Sequence, residues 1–274
     1  MTKSWNDLAD LQAPDYSTYN NLLIIDANNL SYRWLQRANY ASFDSDFIRT
    51  IQSLAKSYEA ARTIVCFDFG KSYYEYKGTR KKPQDEEEAK KYEDFFAVLN
   101  ALPDQLDEEV LKFRGVEADD ILAWITQNVS QKYEHTWIVS SDRDLYQLID
   151  ENVSIFNIFG RKEVTLQSLR EDYDVNPSEY MLSRIIEGDK SDNILGIEGI
   201  GPKRAQGLAR EYKTLDALLE ALPIKGRSKY IQNLNAGQNQ LVRNERLINL
   251  KKYCVDAITA GKYGDEPLNQ LNAL

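Results

Sequence analysis

Three apolar runs of strand length each close on a carboxylate: Leu22-Leu-Ile-Ile-Asp26, Thr63-Ile-Val-Cys-Phe-Asp68 and Thr136-Trp-Ile-Val-Ser-Ser-Asp142. Runs that are apolar throughout, rather than alternating, belong to strands covered on both faces, which is the environment of a parallel sheet. Helical periodicity lies between them. Phe47, Ile48, Ile51, Leu54, Ala55 and Tyr58 share a face over 44–61, and Ile121, Leu122, Ile125 and Val129 over 117–133. Pro83 followed by Asp85, Glu86, Glu87 and Glu88 opens a helix running to about Leu102, with proline in the first turn and acids on the positive end of the dipole. A short helix at 143–149 and a strand at 153–159 continue the series. Strands alternating with helices predict an α/β fold, a mostly parallel sheet flanked by helices.

After about residue 175 the strand signals stop. Segments 177–187, 202–212, 214–221 and 238–249 read as short helices around the turn Gly196-Ile-Glu-Gly-Ile-Gly-Pro-Lys-Arg204. The chain therefore divides into a core at 20–172 and a helical region at 173–260.

The strand ends belong to a larger set of acids. Asp26, Asp68, Glu117, Asp119, Asp120, Asp142, Asp144, Asp189 and Asp192 all fall where an open α/β sheet brings its loops to one rim, beyond the carboxyl ends of the strands. Helix capping explains an acid in any one of these turns. Five separate segments ending in acids at one edge are poorly explained by five caps. So many carboxylates repel one another unless cations neutralise them, and hard divalent ions with oxygen ligands, Mg²⁺ or Mn²⁺, suit such a set. Two ions about 3.5–4 Å apart are the arrangement used for phosphoryl hydrolysis.

The net charge of −9 argues against a nucleic-acid partner at first sight. Setting the nine acids aside leaves 34 acidic residues against 34 basic ones, so the excess belongs to this one set rather than to the surface at large. Basic residues also cluster: Lys77, Arg80, Lys81 and Lys82 in one stretch, Lys203, Arg204, Arg210, Lys213, Lys225, Arg227 and Lys229 in another. A local basic footprint on an acidic chain is enough for DNA. The turn Gly199-Ile-Gly201-Pro-Lys203-Arg204 enters a helix, and its glycines let backbone amides approach a phosphate. It lacks the Walker A pattern. Lys77 and Arg80 share a face if helical and are placed to stabilise charge on a scissile phosphate; Tyr76 beside them is placed to stack on a base. The single histidine, His135, precedes a strand and reads as structural or exposed, so histidine-based acid–base or zinc chemistry is not expected. Cys66 and Cys254 are too few for a disulfide framework and point to a reducing, cytoplasmic setting. No apolar run reaches the roughly 18 residues of a membrane span.

Three stretches carry a resemblance. Arg114–Asp120 (RGVEADD), Ser140–Leu148 (SSDRDLYQL) and Gly188–Ala205 (GDKSDNILGIEGIGPKRA) resemble, in order, the signatures of the 5′–3′ exonuclease/flap endonuclease family, over about residues 20–260. Lys229–Leu234 and Tyr253–Ile258 are most similar to its T-odd bacteriophage branch. The resemblance implies a PIN-like nuclease core, a helical arch at about 72–112 and a helix-three-turn-helix DNA-binding region. It implies a first metal group of Asp26, Asp68, Glu117 and Asp119, and a second of Asp142, Asp144, Asp189 and Asp192. Asp119 or Asp142 bridges the two, and Asp120 joins through water. Lys77 and Arg80 match the basic pair at the base of the arch, and Tyr76 the aromatic beside it. Arg184, Gly199, Gly201, Lys203 and Arg204 fall at duplex-contacting positions. The expected activity is two-metal hydrolysis of DNA at single-strand/double-strand junctions, with 5′-flap DNA as partner and RNA–DNA hybrids allowed through primer removal during replication. K⁺ held by backbone carbonyls within 194–201 and a monomeric, cytoplasmic protein are also implied. The alternatives weighed on the residues are a PIN-like ribonuclease for single-stranded RNA, which would not need the Gly196–Arg204 turn, and a non-catalytic junction binder, which would not need the full set of acids.

Overall fold

A computed structural model describes residues 18–70, 85–260 and 264–274. Its centre is a six-stranded sheet. Strands β1 (Asn21–Asp26), β2 (Ala60–Phe67), β3 (Glu109–Lys112), β4 (Thr136–Val139), β5 (Val153–Asn157) and β6 (Lys162–Val164) lie in the order β3-β2-β1-β4-β5-β6. The first five run parallel; β6 pairs antiparallel with β5. The strand order reverses between β1 and β4, and the crevice at such a switch point is where open α/β sheets bind ligands.

The pleat of β1 sends side chains alternately to two cores. Leu22 and Ile24 join one, packed with Ile121, Leu122 and Ile125 of helix α4 (Ala118–Asn128). Leu23 and Ile25 join the other, beneath α1 (Ala27–Leu35), α2 (Asp44–Ser57) and α3 (Glu86–Ala101). That second core is rich in aromatics: Phe43 stacks on Trp34 at 5.4 Å and on Phe95 at 5.2 Å. All four side chains of Leu22–Ile25 are fully buried, which is why the sequence is apolar without alternation.

The helical region holds a third core built from Leu182, Ile185, Ile186, Ile194, Ile197, Leu208 and Leu241. After α5 (Leu166–Tyr173) come α6 (Pro177–Glu187), α7 (Pro202–Tyr212), α8 (Leu215–Ala221), α9 (Lys229–Ala236), α10 (Gln238–Ile248), α11 (Leu250–Thr259) and α12 (Glu266–Leu271). Between α6 and α7 a two-residue antiparallel ladder joins β7 (Gly188–Asp189) to β8 (Ile194–Leu195). Gln147 ties the halves together: its side-chain amide donates to Ile248 O and accepts from Leu250 N.

Several expected elements differ in extent. The helix expected over 44–61 stops at Ser57, Glu59 takes a left-handed φ of 48°, and β2 begins at Ala60 because its register against Asn21 extends the sheet past the apolar run. The helix expected to 133 ends at Asn128, followed by a 3₁₀ turn in which the Ser130 hydroxyl bonds back to Thr126 O. The arch expected over 72–112 loses its end, since Glu109–Lys112 is the parallel edge strand β3; residues 71–84 lie outside the described residues. The segment at 143–149 is a 3₁₀ helix, Asp144–Leu148. Beyond 175 the strand signal is absent from the sequence, yet β7 and β8 form. Among the described residues no helix is long and apolar enough to cross a membrane.

Candidate metal centre

The carboxyl rim of the sheet collects the acids by three local devices. At the end of β1, Asp26 caps α1, accepting from Asn29 N at 3.0 Å and from the Ser140 hydroxyl beyond β4 at 2.9 Å. Two neighbouring strands are thereby linked at the switch point. Asp26 is only 5% exposed, and burial, with the charge of Asp68 adding to it, pushes its carboxyl up to about 7. Asp68 follows β2, accepts from Ala118 N at 2.8 Å and so anchors the start of α4. Glu117 occupies the N-cap of that helix, and Asp119 and Asp120 its first turn, with Asp120 buried.

The third device joins the two halves of the chain. Asp142 Oδ1 accepts from Asp144 N at 2.8 Å, which folds the Asp-Arg-Asp turn. Asp144 then meets Arg184 of α6 at 3.0 Å, and the same guanidinium donates to Asp189. Asp189 also takes the backbone N–H and hydroxyl of Ser191. Burial pushes Asp144 up to about 7, outweighing Arg184, whereas the donors on Asp189 hold that carboxyl below its ordinary value. We read this trio as a charge-compensated cluster.

Carboxylate oxygens of Asp144, Asp189 and Asp192 all lie within 4.8 Å of one another, the one group of three among the described residues close enough to share a metal ion. Three carboxylates with no sulfur or imidazole suit a hard divalent cation. Glu117, Asp119, Asp120, Asp144 and Asp192 line a single cleft, so acids from the core and from the helical region face the same space. Asp26, Asp68 and Asp142 lie beside it through the hydrogen bonds given above, outside the trio. Tyr76, Lys77 and Arg80 lie outside the described residues. The sequence reading missed Arg246, Asn249 and Leu250 and quoted Tyr253 only within the phage-like stretch; all four complete the cleft wall from α10, α11 and the residue between them, where the packing of the C-terminal helices brings them.

At the glycine turn, Gly199 has φ +84° and Gly201 caps α7. Lys203 is exposed. Arg204 folds back, donating to Gly199 O at 2.7 Å with its guanidinium 4.7 Å over the Tyr230 ring, so it braces the turn. Both cysteines are buried thiols, pushed up by burial.

Residues 21–174 match the family described as 5′-3′ exonuclease, N-terminal resolvase-like domain, and residues 175–265 its C-terminal SAM fold. The chain belongs to the 5′-3′ exonuclease family. It is 39% identical over 272 residues to the flap endonuclease of Escherichia phage T5, covering 95% of this chain and 94% of that protein. A 5′-3′ exonuclease of Mycoplasmopsis pulmonis is 30% identical over 249 residues, 84% of this chain and 80% of the relative. Among solved structures, the bacteriophage T5 flap endonuclease pseudo-enzyme–product complex with DNA and metal ions superposes with a TM-score of 0.87 at 39% identity, over 92% of this chain and 97% of that one. The α/β sheet with its helical C-terminal region is thus the fold of this nuclease family, and the chain is an enzyme of it, with the 5′-3′ exonuclease and flap endonuclease character expected from the motifs.

Proposed function

We propose that the chain is a Mg²⁺-dependent nuclease that hydrolyses DNA near the junction of a 5′ single strand with duplex, by a two-metal mechanism. The observation that carries this reading is the convergence of Asp144, Asp189 and Asp192 within 4.8 Å, with Asp144 and Asp192 lining a cleft shared with Glu117, Asp119 and Asp120. Asp142, Asp144, Asp189 and Asp192 make one metal group; Asp26, Asp68, Glu117 and Asp119 make the other, with Asp119 or Asp142 between them and Asp120 acting through water. Divalent ions bound there would supply a nucleophilic hydroxide at neutral pH and charge to offset the leaving oxygen. The residues' own part is positional. Asp26 and Ser140 fix the switch point, Asp68 fixes α4 so that Glu117 and Asp119 enter the cleft, and the Asp142–Asp144 turn presents Asp144 to α6. Lys77 and Arg80 stabilise the phosphate and Tyr76 stacks on a base, by family resemblance.

The duplex lies along the helical region. Gly199 and Gly201 let it approach, Lys203 meets a phosphate, and Arg204 supports the turn from behind, with Arg184 next to the metal group. Such contacts position the duplex without reading its sequence. K⁺ within 194–201 is the finer part of the proposal. The carbonyls of Leu195, Gly196, Glu198 and Gly199 already accept side-chain N–H groups, so K⁺ must share or displace them. Mn²⁺ substitutes for Mg²⁺, RNA–DNA hybrids are a second substrate class, and the enzyme works as a cytoplasmic monomer.

Cleavage of a 5′-labelled flap duplex in Mg²⁺ and in EDTA tests this. The expected result is metal-dependent cutting near the junction. Tight junction binding without cutting in Mg²⁺ or Mn²⁺ overturns the catalytic reading.

A further inference from the structure

Arg184 lies in the last turn of α6, five residues before Asp189. Its Nε donates to Asp144 Oδ1 at 3.0 Å, and its Nη2 donates to Asp189 Oδ2. The three side chains are 18%, 15% and 14% exposed, so this is a covered pair of contacts rather than a surface pair. The same two carboxylates, with Asp192, form the trio close enough to hold an ion. Asp189 Oδ1 is engaged as well, by the backbone N–H and hydroxyl of Ser191. Both oxygens of Asp189 and one of Asp144 therefore already face donors.

An ion ligated by Asp144 and Asp189 has to approach those oxygens to roughly 2.0–2.6 Å. It then comes close to a guanidinium that already contacts the same two carboxylates, and like charges repel there. Either the guanidinium yields or the ion is held off. Arginine suits an exchange, because its planar fork matches a phosphate as well as it matches a carboxylate.

We propose that Arg184 is the resident counter-cation of the Asp144–Asp189–Asp192 group, that it competes with divalent ions for Asp144 and Asp189, and that metal loading releases its guanidinium to the substrate phosphate. The proposal rests on the metal-nuclease reading above. It also has a sign. A brace that merely holds the acids in place strengthens metal binding, and its loss weakens it; a competing cation weakens metal binding, and its loss strengthens it.

The test is a Mn²⁺ titration of the DNA-free protein followed by electron paramagnetic resonance, for the wild type, Arg184→Gln and Arg184→Lys, each with a melting curve in EDTA. The expected result is that Arg184→Gln binds one class of ion more tightly by about fivefold or more, the lower end of ordinary coupling between two ligands. Its melting temperature in EDTA falls below that of the wild type, and Arg184→Lys lies between the two. Unchanged or weaker Mn²⁺ binding by a cooperatively melting Arg184→Gln overturns the competition and leaves the nuclease reading intact. A wild type that binds no Mn²⁺ removes both. If Arg184→Gln does not fold, Arg184→Lys decides alone: tighter binding than the wild type supports the competition, and equal or weaker binding overturns it. Release is read separately, from flap-duplex affinity with and without Ca²⁺. Arg184→Gln should lose affinity only when Ca²⁺ is present; an equal loss in both conditions overturns release.

Discussion

The two halves of the acidic rim solve the same electrostatic problem in different ways. On the sheet side, Asp26 and Asp68 accept backbone N–H groups at the starts of α1 and α4, and Glu117, Asp119 and Asp120 crowd the first turn of α4. Helix N-termini and their dipoles offset that charge. On the helical side an arginine is added to such donors, with Asp144 in the first turn of a 3₁₀ helix and Asp189 accepting from Ser191 N. Asp144 and Asp189 are compensated by one arginine, and Asp189 also by Ser191. Backbone compensation is permanent, since an N–H cannot leave without unwinding a helix. Side-chain compensation is exchangeable, and that makes the helical side the half in which metal, arginine and substrate phosphate can replace one another.

The largest expected effect is on chemistry. Asp189→Asn and Asp26→Asn should each lower cleavage of a flap duplex by at least about 100-fold, the upper range for losing support around a metal. They should part company in stability. Asp26→Asn removes a buried carboxylate that resists ionisation and should raise the melting temperature in EDTA, whereas Asp189→Asn leaves Arg184 half-paired and should lower it. Equal shifts in the same direction would erase the distinction between the two sides.

Next in size is a backbone effect confined to the helical half. A Cβ on Gly196 would lie 1.7 Å from Glu187 O, and one on Gly188, which has φ +75°, 2.4 Å from Gly196 N. Gly196→Ala should therefore cost about 3 kcal/mol or more, the range of severe backbone and packing lesions. Gly201→Ala meets nothing within 4 Å and should leave melting nearly unchanged. Denaturant titration of the two variants distinguishes them.

A smaller effect follows pH. Asp26 and Asp144 keep their protons in the folded protein up to about 7, chiefly through burial, while unfolded aspartates release theirs near 3.9. Unfolding thus releases protons between these values. The stability these groups contribute is complete below about pH 4 and is lost as pH rises through 7. Melting in EDTA should fall from pH 5 to pH 8, and Mg²⁺ should flatten or reverse the slope. The smallest effect is Lys203→Ala, which should weaken duplex binding and reduce the salt slope by about one unit, as for a single phosphate contact.

The sheet was legible because Leu22–Ile25 and Ile64–Phe67 are buried on both faces and so carry unbroken apolar runs. Strand β3 was not: Glu109 and Lys112 border an edge strand of four residues whose identity depends on Ile64–Phe67 beside it. The helical segments at 177–187, 202–212 and 238–248 show clear periodicity, whereas α1 was hidden behind the capping role of Asp26. Of the nine acids singled out by spacing and motif, Glu117, Asp119, Asp120, Asp144 and Asp192 line one cleft, and Asp189 joins Asp144 and Asp192. Their division into a backbone-compensated side and an arginine-compensated side was not legible, because it depends on where α6 carries Arg184. The cleft wall from Arg246 to Tyr253 was invisible for the same reason: its position comes from the docking of α10 and α11 against the core.

Crystals of the protein soaked in Mn²⁺ and measured for anomalous scattering test the account most directly. It predicts a peak among Asp144, Asp189 and Asp192 with the Arg184 guanidinium moved off both carboxylates, and a second peak on the Glu117–Asp119 side of the cleft. No peak at the trio, with Arg184 still bridging Asp144 and Asp189 at saturating Mn²⁺, would contradict it.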